Sequence, residues 1–436
     1  MEGPGEEERR VLGPVGGLVG LASGQRRSLS ARLAECGRVA AAALNILANA
    51  SLVTTTAVQL CADTPKETER ASVTAFIFSV STINFVKAVS LLRHRWRLRQ
   101  LAGRLVAIRG AFADHAGTRR SYARKAGRLA ITWVVTAEMN VAFWCLDPLI
   151  SELLGGAVQE RQLPLPLWLP FNQSQPSNYA LLFTLESTML MSGVQIAIIV
   201  DALFVTLIIN VTAEIHVLNS NIRSMRKAAT YDGGLLSMAP ASASVGTTEN
   251  RSKIRSNSSS ISEVTAEPLR NESSADDEMY GLLVKNIQHH QLIIICVSEL
   301  EKAVSMGTFA LLSINILNLC SHIFSLVVML EGENSASAIT KMFVAVPVFM
   351  LQNGLYCLTG QAIIDESDRL INSAFGCGWP DADERFKRSL RVLMARASQP
   401  LRIRVGKLIS LSRATFQELL KGSYQLFNVV YQVHTN

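Results

Sequence analysis

The chain has 436 residues and a formal net charge of +7, with 49% hydrophobic and only 18% charged residues. Soluble globular chains carry about 25% charged residues. This deficit, with a mean hydropathy of +0.24, excludes an ordinary soluble multidomain enzyme and places the sequence among membrane proteins. Seven scattered cysteines without CxxC spacing signal neither a disulfide framework nor a zinc site.

Glu6, Glu7 and Glu8 are followed by Arg9 and Arg10, and the glycine-broken stretch 11–21 is too weak for the core of a cleavable signal. Residues 1–38 therefore read as a cytoplasmic N-terminal segment, with the first span acting as the targeting signal. Gly13, Gly16, Gly17 and Gly20 resemble a phosphate loop only loosely, because no strand precedes them and no Lys-Ser/Thr pair follows. No cofactor and no metal are expected.

A bilayer core about 30 Å thick needs about 20 largely apolar residues per helix, because lipid offers no partner to exposed backbone groups. Six windows meet that need: residues 39–60, 73–92, 130–150, 181–209, 309–330 and 339–362. A seventh, 405–433, is apolar in period but carries Ser410, Ser412, Gln417, Glu418, Gln425, Asn428 and Gln432, too many polar groups to face lipid. Cys145, Cys296, Cys320 and Cys357 fall inside apolar runs and read as small buried hydrophobes, whereas Cys61 and Cys377 lie near span ends.

Cytoplasmic flanks of spans collect Lys and Arg. Residues 1–39, 93–128, 213–290 and 361–404 together hold 33 of the 42 basic residues, whereas the alternate loops hold little beyond Lys66, Arg70 and Arg161. The expected fold is therefore an all-α membrane protein with seven transmembrane helices, a cytoplasmic N-terminus and an extracellular C-terminus. A G-protein-coupled receptor would show the reverse charge pattern. Asn172 opens a glycosylation sequon in an expected outside loop, whereas the sequons at Asn250, Asn257 and Asn271 fall in an expected inside loop and are discounted against the charge count.

Four segments follow. After residues 1–38 come spans one to four, 39–212, then cytoplasmic helix extensions over 213–305, then spans five to seven, 306–436. Within the third, residues 228–278 are rich in Ser, Gly, Asn and acids, cannot bury a core and are expected to be disordered. Arg251, Lys253 and Arg255 beside Ser256, Ser258, Ser259 and Ser260 form a candidate phosphorylation-controlled patch within a solvated linker. The basic run from Arg93 to Arg99, which includes Trp96, follows a span directly, so anionic lipid headgroups rather than nucleic acid are its expected neighbours. His289 and His290 are adjacent, point to different sides of a helix and make a poor metal pair. No nucleophile, base and oxyanion constellation is present, so the chain does not read as an enzyme.

The most specific stretch is the last 85 or so residues. It contains Asn353-Gly354-Leu355-Tyr356-Cys357, Gly360, Glu366-Ser367, Ala374-Phe375, Cys377 and Trp379, and continues through Arg385-Phe386-Lys387-Arg388-Ser389-Leu390. Beyond these lie Met394-Ala395-Arg396-Ala397, Gln399-Pro400-Leu401, Thr415-Phe416 and Leu420-Lys421-Gly422-Ser423-Tyr424-Gln425-Leu426-Phe427. This pattern resembles the C-terminal signature of insect odorant receptors. Leu163-Pro164, Trp168, Pro170-Phe171, Tyr179, Asp201-Ala202-Leu203-Phe204, His290 and Leu300-Glu301 extend the resemblance upstream.

The resemblance implies seven helices with an inside N-terminus, in agreement with the charge count, and a subunit of an odorant-gated, non-selective cation channel in the plasma membrane of a sensory dendrite. It implies a heterotetramer of a tuning subunit with the odorant receptor coreceptor. The sequence Thr415 to Tyr424 differs from the coreceptor's end, which favours the tuning type. A pore lined by span seven places Val429 and Val433 at the hydrophobic constriction, with Gln425 and Gln432 lining wetter parts. The expected subunit anchor is 363–404, through Glu366, Trp379 and Arg396. A volatile organic ligand is expected in an apolar cavity in the outer half of spans two, three, four and six. Its candidate contacts are Phe76, Phe78 and Thr82, then Glu138, Met139 and Phe143, then Tyr179, Phe183, Glu186 and Met189, and Phe349. Glu138 and Glu186 stand out, because an acid within a span is costly and usually functional. Asp201 reads as structural. A gustatory-type homotetramer and a transporter are the competing classes; the absence of a paired internal repeat argues against the transporter.

Overall fold

The computed structural model describes residues 11, 29–61, 68–155, 163–165, 176–236, 267–331 and 336–435. Among these, six long helices follow one another in the chain: α1 (Leu29–Cys61), α2 (Thr68–Ala111), α3 (Thr118–Gly155), α4 (Pro176–Leu236), α5 (Glu267–Glu331) and α6 (Ala336–Phe375). A 3-10 turn (Trp379–Asp381), the short helix α7 (Glu384–Ala397), strands β1 (Arg404–Val405) and β2 (Ile409–Ser410), and helix α8 (Arg413–Thr435) complete the order. Six described helices contain stretches long and apolar enough to cross a membrane, and each overlaps one of the six windows expected from the sequence.

The chain divides into two compact units. The first comprises Met1–Glu214, Ile293–Asp365 and Leu401–Asn436; the second comprises Ile215–Leu292 and Glu366–Pro400. Helices α4, α5 and α6 each contribute to both. The stretch 228–278, expected to be disordered, is entered by helix from both sides, to Leu236 and from Glu267, and residues 237–266 lie outside the described set, with the basic and serine patch.

In the first unit α4 is the central helix: 89% of its apolar window is buried, against 22–50% for the other five. Its buried stripe Ile198, Ala202, Val205 and Ile209 meets Ala126, Ala130, Trp133 and Ala137 of α3, with Leu355 of α6. Both stripes repeat every three or four residues, the period of one helix face, and the alanines let the two backbones approach closely without a large side chain between them. The opposite face of α3 carries Ile131, Val135, Met139 and Leu146, all exposed, an apolar stripe suited to lipid.

Polar contacts tie these helices together. Asn49 Nδ2 of α1 donates to the Gly193 carbonyl of α4 at 2.9 Å, and Asn45 Nδ2 donates to the Ser192 carbonyl. The fully buried Glu214 carboxylate receives Arg109 Nε at 3.2 Å and Arg119 Nη2 at 2.7 Å, while Asp114 caps the start of α3 through the amides of Thr118 and Arg119. The connection between α2 and α3 is thereby fixed to α4 by paired charges, which keeps the buried carboxylate compensated.

The helix expected as the seventh span begins later than its apolar period suggests. Residues 404–410 form an antiparallel pair, Arg404 opposite Ser410 and Val405 opposite Ile409, and the last helix starts at Arg413. Gly406 (φ 59°) and Lys407 (φ 62°) take the two left-handed positions of the turn, closed by Leu408 N–H donating to Val405 O at 3.2 Å. A tight hairpin turn requires positive φ at both central residues, and glycine supplies the first without steric cost. Ser412 then caps α8, its Oγ accepting from the Thr415 amide at 3.2 Å.

In the second unit α7 is capped by Asp383, whose carboxylate accepts from Phe386 N at 2.8 Å, and it buries Phe386, Leu390, Leu393 and Ala397 on one face. Asn219, His216 and Arg369 hold Glu366: Asn219 Nδ2 donates to its carbonyl at 2.8 Å, His216 Nδ1 lies 3.1 Å from its carboxylate, and Arg369 Nη1 donates at 2.8 Å.

Candidate ligand cavity and last helix

The first unit contains a cavity of about 110 Å³ lined by residues of α1, α2, α3, α4 and α6 and by Leu165 of the loop before α4. That volume is on the order of the roughly 150 Å³ apolar cavity that accommodates benzene. Most of the wall is apolar. On α3 the lining residues Trp133, Ala137, Asn140, Val141 and Trp144 share one helical stripe. Phe76 of α2 and Phe349 of α6 meet edge to face at 5.7 Å, and Phe76 also contacts Trp144 at 5.5 Å. His322 of α5 packs behind them, 4.3 Å from Phe76 and stacked on Phe349 at 5.5 Å. Offset and edge-on geometries of this kind are the favoured aromatic arrangements and hold the wall rigid.

Part of the lining is polar and charged, including Asp201 and Gln352. Lys87 Nζ lies 2.8 Å from Asp201, Gln352 Nε2 donates to Asp201 at 2.7 Å, and Tyr356 Oη donates to it at 2.7 Å. The carboxylate is thus neutralised by one cation and filled by two further donors, so the cavity presents no free charge there. Asn315 of α5 extends the network, donating to Gln352 Oε1 at 3.3 Å and to Asn353 Oδ1 at 2.9 Å.

Of the eleven residues expected to contact ligand, Phe76 and Phe349 line this cavity. Phe143 and Met189 pack against the cluster of Leu52, Ile77, Trp144 and Leu165, residues that line the cavity. Glu186 is fully buried, and its carboxyl group accepts from the backbone N–H of Leu165 at 3.0 Å, holding that lining residue in place. Glu138 accepts from Gln195 at 2.8 Å, and Thr82 Oγ1 donates back to the Phe78 carbonyl at 2.7 Å. Tyr179 and Phe183 pair with each other at 6.0 Å. Met139 is 67% exposed and belongs to the outward apolar stripe of α3. Trp133, Trp144, Asn49, Asn140, Asp201 and Gln352 line the cavity without having been singled out as ligand contacts. On α3 their signal was available as Trp133, Ala137, Asn140 and Trp144 recurring every three or four positions.

Helix α8 buries Leu419 and Ser423 and leaves Gln425, Val429, Gln432 and Val433 exposed; Val429 is 58% and Val433 76% accessible. Glu418, Lys421, Gln425, Val429 and Gln432 recur every three or four residues and form one uncovered face of mixed polarity. The turn before α8 is locked to the preceding helices. A Cβ at Gly360 of α6 would lie 2.4 Å from Leu411 Cβ and 2.6 Å from its carbonyl oxygen. Arg413 N donates to Gln361 Oε1 at 3.1 Å, and Gly406 N donates to Ser305 Oγ of α5 at 3.0 Å.

In the second unit Glu366 is buried in the contacts given above, Trp379 lies 6.2 Å from Phe375, and Arg396 is exposed, donating to the Gln399 carbonyl at 3.4 Å. Burial pushes the thiol of Cys377 above its ordinary pKa. The sequon at Asn172 lies outside the described residues.

A family model described as 7tm Odorant receptor matches residues 67–424. Among curated proteins, the chain is 32% identical over 155 residues to odorant receptor 10 of Aedes albopictus, covering 35% of this chain and 40% of that one. It is 24% identical over 155 residues to odorant receptor 19a of Drosophila melanogaster, covering 36% and 39%. These matches span about two-fifths of the relatives' length. Among solved structures, the olfactory receptor OR5 of Machilis hrabei in complex with eugenol aligns over 99% of this chain and 100% of its own, with a TM-score of 0.74 at 12% identity. At that identity the likeness is one of fold.

Proposed function

The chain belongs to the 7tm odorant receptor family, and on that footing we propose that it is a tuning subunit that binds a volatile organic molecule in the cavity bounded by α1, α2, α3, α4 and α6. The observation that carries this reading is the cavity itself: a small, mostly apolar space walled by Phe76, Trp133, Trp144 and Phe349, with a few polar residues in its lining. Volatile ligands gain affinity chiefly from apolar area removed from water, about 25 cal/mol per Å², and such a wall offers that area in a preformed shape.

Binding opens a non-selective cation pathway lined by α8, in a heterotetramer with the odorant receptor coreceptor. The uncovered α8 face supports this: Gln side chains such as Gln425 and Gln432 are costly against lipid but suit a water-filled pore, and two valines four residues apart make an apolar ring that closes by dewetting. The second unit, with Glu366, Trp379 and Arg396, is the proposed subunit anchor. The subunit resides in the plasma membrane with its N-terminus cytoplasmic and Asn172 glycosylated outside.

Ligand occupancy is transmitted through α6, which presents Phe349 and Gln352 to the cavity and, further along, Gly360 and Gln361 to the start of α8. Whole-cell current under a panel of volatile esters, alcohols, aldehydes and amines tests the reading, with the chain expressed alone and with the coreceptor. Current only in the co-expressing cells, reversing near zero, is the expected result. Current from the chain alone supports a homomeric channel instead.

A further inference from the structure

Helix α2 exposes a tryptophan. Trp96 is 65% exposed and continues, at steps of three and four residues, the exposed apolar stripe of Val89 and Leu92. The other side of the same segment is buried through Leu91, Leu98, Leu101 and Leu105, so the stripe faces away from the protein. By helical spacing Arg95 flanks it on one side and Arg93 and Arg97 on the other, all exposed. Helix α3 repeats the change. Its outward stripe of Met139, Val135 and Ile131 continues toward the helix start as Arg128 and Arg124, with Lys125 beside them, and these three cations are again exposed. On both helices the apolar stripe turns basic at the end nearest the connection between them.

The protein does not neutralise this charge. Residues 93–128 hold eleven basic residues and one acid, Asp114, which caps α3. Glu214 is spent on Arg109 and Arg119. Among the described residues, none of Arg93, Arg95, Arg97, Arg124, Lys125 and Arg128 pairs with a carboxylate. We propose that this end of α2 and α3 binds anionic phospholipid, with Trp96 seated at headgroup level and the flanking cations on the lipid's phosphate and carboxylate groups. Tryptophan favours the membrane–water interface, where its ring meets acyl carbon and its N–H meets water, and a basic cluster beside a span attracts anionic headgroups. Continuity sets this surface apart from a docking site for an acidic protein segment. Whatever covers Trp96 borders what covers Val89 and Leu92 on the same stripe, and that is acyl chain. The assignment needs α2 and α3 to cross a bilayer and does not depend on which side their connection faces.

The test uses the purified full chain in phosphatidylcholine nanodiscs carrying a minor share of lipid with brominated acyl chains, which quench tryptophan on contact. The brominated lipid is either phosphatidylserine or phosphatidylcholine, and the Trp96 signal is the difference between the unaltered chain and Trp96→Phe. Brominated phosphatidylserine is expected to quench Trp96 at a share at least about threefold lower than brominated phosphatidylcholine. That preference is expected to vanish at about 1 M salt, where charges are screened within about 3 Å. Arg93→Gln, Arg95→Gln and Arg97→Gln combined are expected to bring the two lipids to parity while both still quench Trp96, which separates lost recognition from lost folding. An unquenched Trp96, equal quenching by both lipids in the unaltered chain, or an undiminished preference in the combined variant overturns the proposal. Loss of quenching by either lipid on adding a polyglutamate peptide would make the occupant an acidic protein segment, and loss of the preference on adding soluble glycerophosphoserine would make it a free phosphate; either result overturns the proposal as well.

Discussion

The Lys87 ammonium lies 2.8 Å from both carboxylate oxygens of Asp201, and each side chain is 2% exposed. Removing one partner of a buried pair strands the other charge, at a cost of about 3–5 kcal/mol. Lys87→Met and Asp201→Asn are each expected to lower the thermal midpoint of the purified chain. The double variant is expected to lose less than the sum, because neither charge is then stranded. Additive losses would show that the two groups do not depend on one another.

Gly360 sits where α6 meets the turn before α8. An alanine there would drive its methyl carbon to 2.6 Å from the Leu411 carbonyl oxygen, an atom of the backbone that cannot swing aside. Gly360→Ala is expected to destabilise by about 1–3 kcal/mol, and trimming Leu411 to Ala is expected not to restore it, because both the carbonyl and the Leu411 Cβ remain. Thermal denaturation of the single and double variants checks this.

Val429 and Val433 face outward from the described chain, so shortening them removes little packing. Val429→Ala and Val433→Ala are expected to leave monomer stability within about 0.5 kcal/mol while changing the resting and evoked currents of co-expressing cells. Loss of surface expression without any change in current per channel would instead assign these valines to packing between subunits.

Cysteine accessibility separates two positions that the sequence placed alike, near span ends. Cys61 is exposed, whereas Cys377 is 1% exposed and its thiol is raised by burial. Thiolate is the reactive form, and a raised pKa means less of it at neutral pH. A maleimide at pH 7 is expected to modify Cys61 well before Cys377, as read by peptide mapping, and raising the pH is expected to narrow the gap only where the chain opens to admit the reagent.

The fold was legible from sequence where long-range chemistry is carried by composition. Each of six apolar windows overlaps a described helix long and apolar enough to cross a bilayer, and Asp201, a polar residue inside such a window, sits in a buried network with Lys87, Gln352 and Tyr356. The hairpin at 404–410 was not legible, since strands of two residues carry no period, and only Val405-Gly406-Lys407 hinted at a turn. The lining of the cavity was harder still. Choosing aromatics, methionines and acids by type selected Met139, whose face points away from the protein, and passed over Trp133, Asn140 and Trp144 on the inner stripe of the same helix. Which face of a buried helix meets a cavity depends on its partners, and no single helix records that. Glu186 shows the same limit: an intramembrane acid marked a site, but its carboxyl group holds the Leu165 amide rather than lining the cavity.

The most direct measurement is the volatile-evoked current of cells co-expressing this chain and the coreceptor, compared between the unaltered chain and Val80→Phe at matched surface expression. Val80 lines the cavity, and a phenylalanine there takes up space that a ligand needs. The account predicts that the half-maximal concentration of every activating volatile rises about tenfold or more, with the reversal potential unchanged. Unaltered concentration dependence across the whole panel would contradict it.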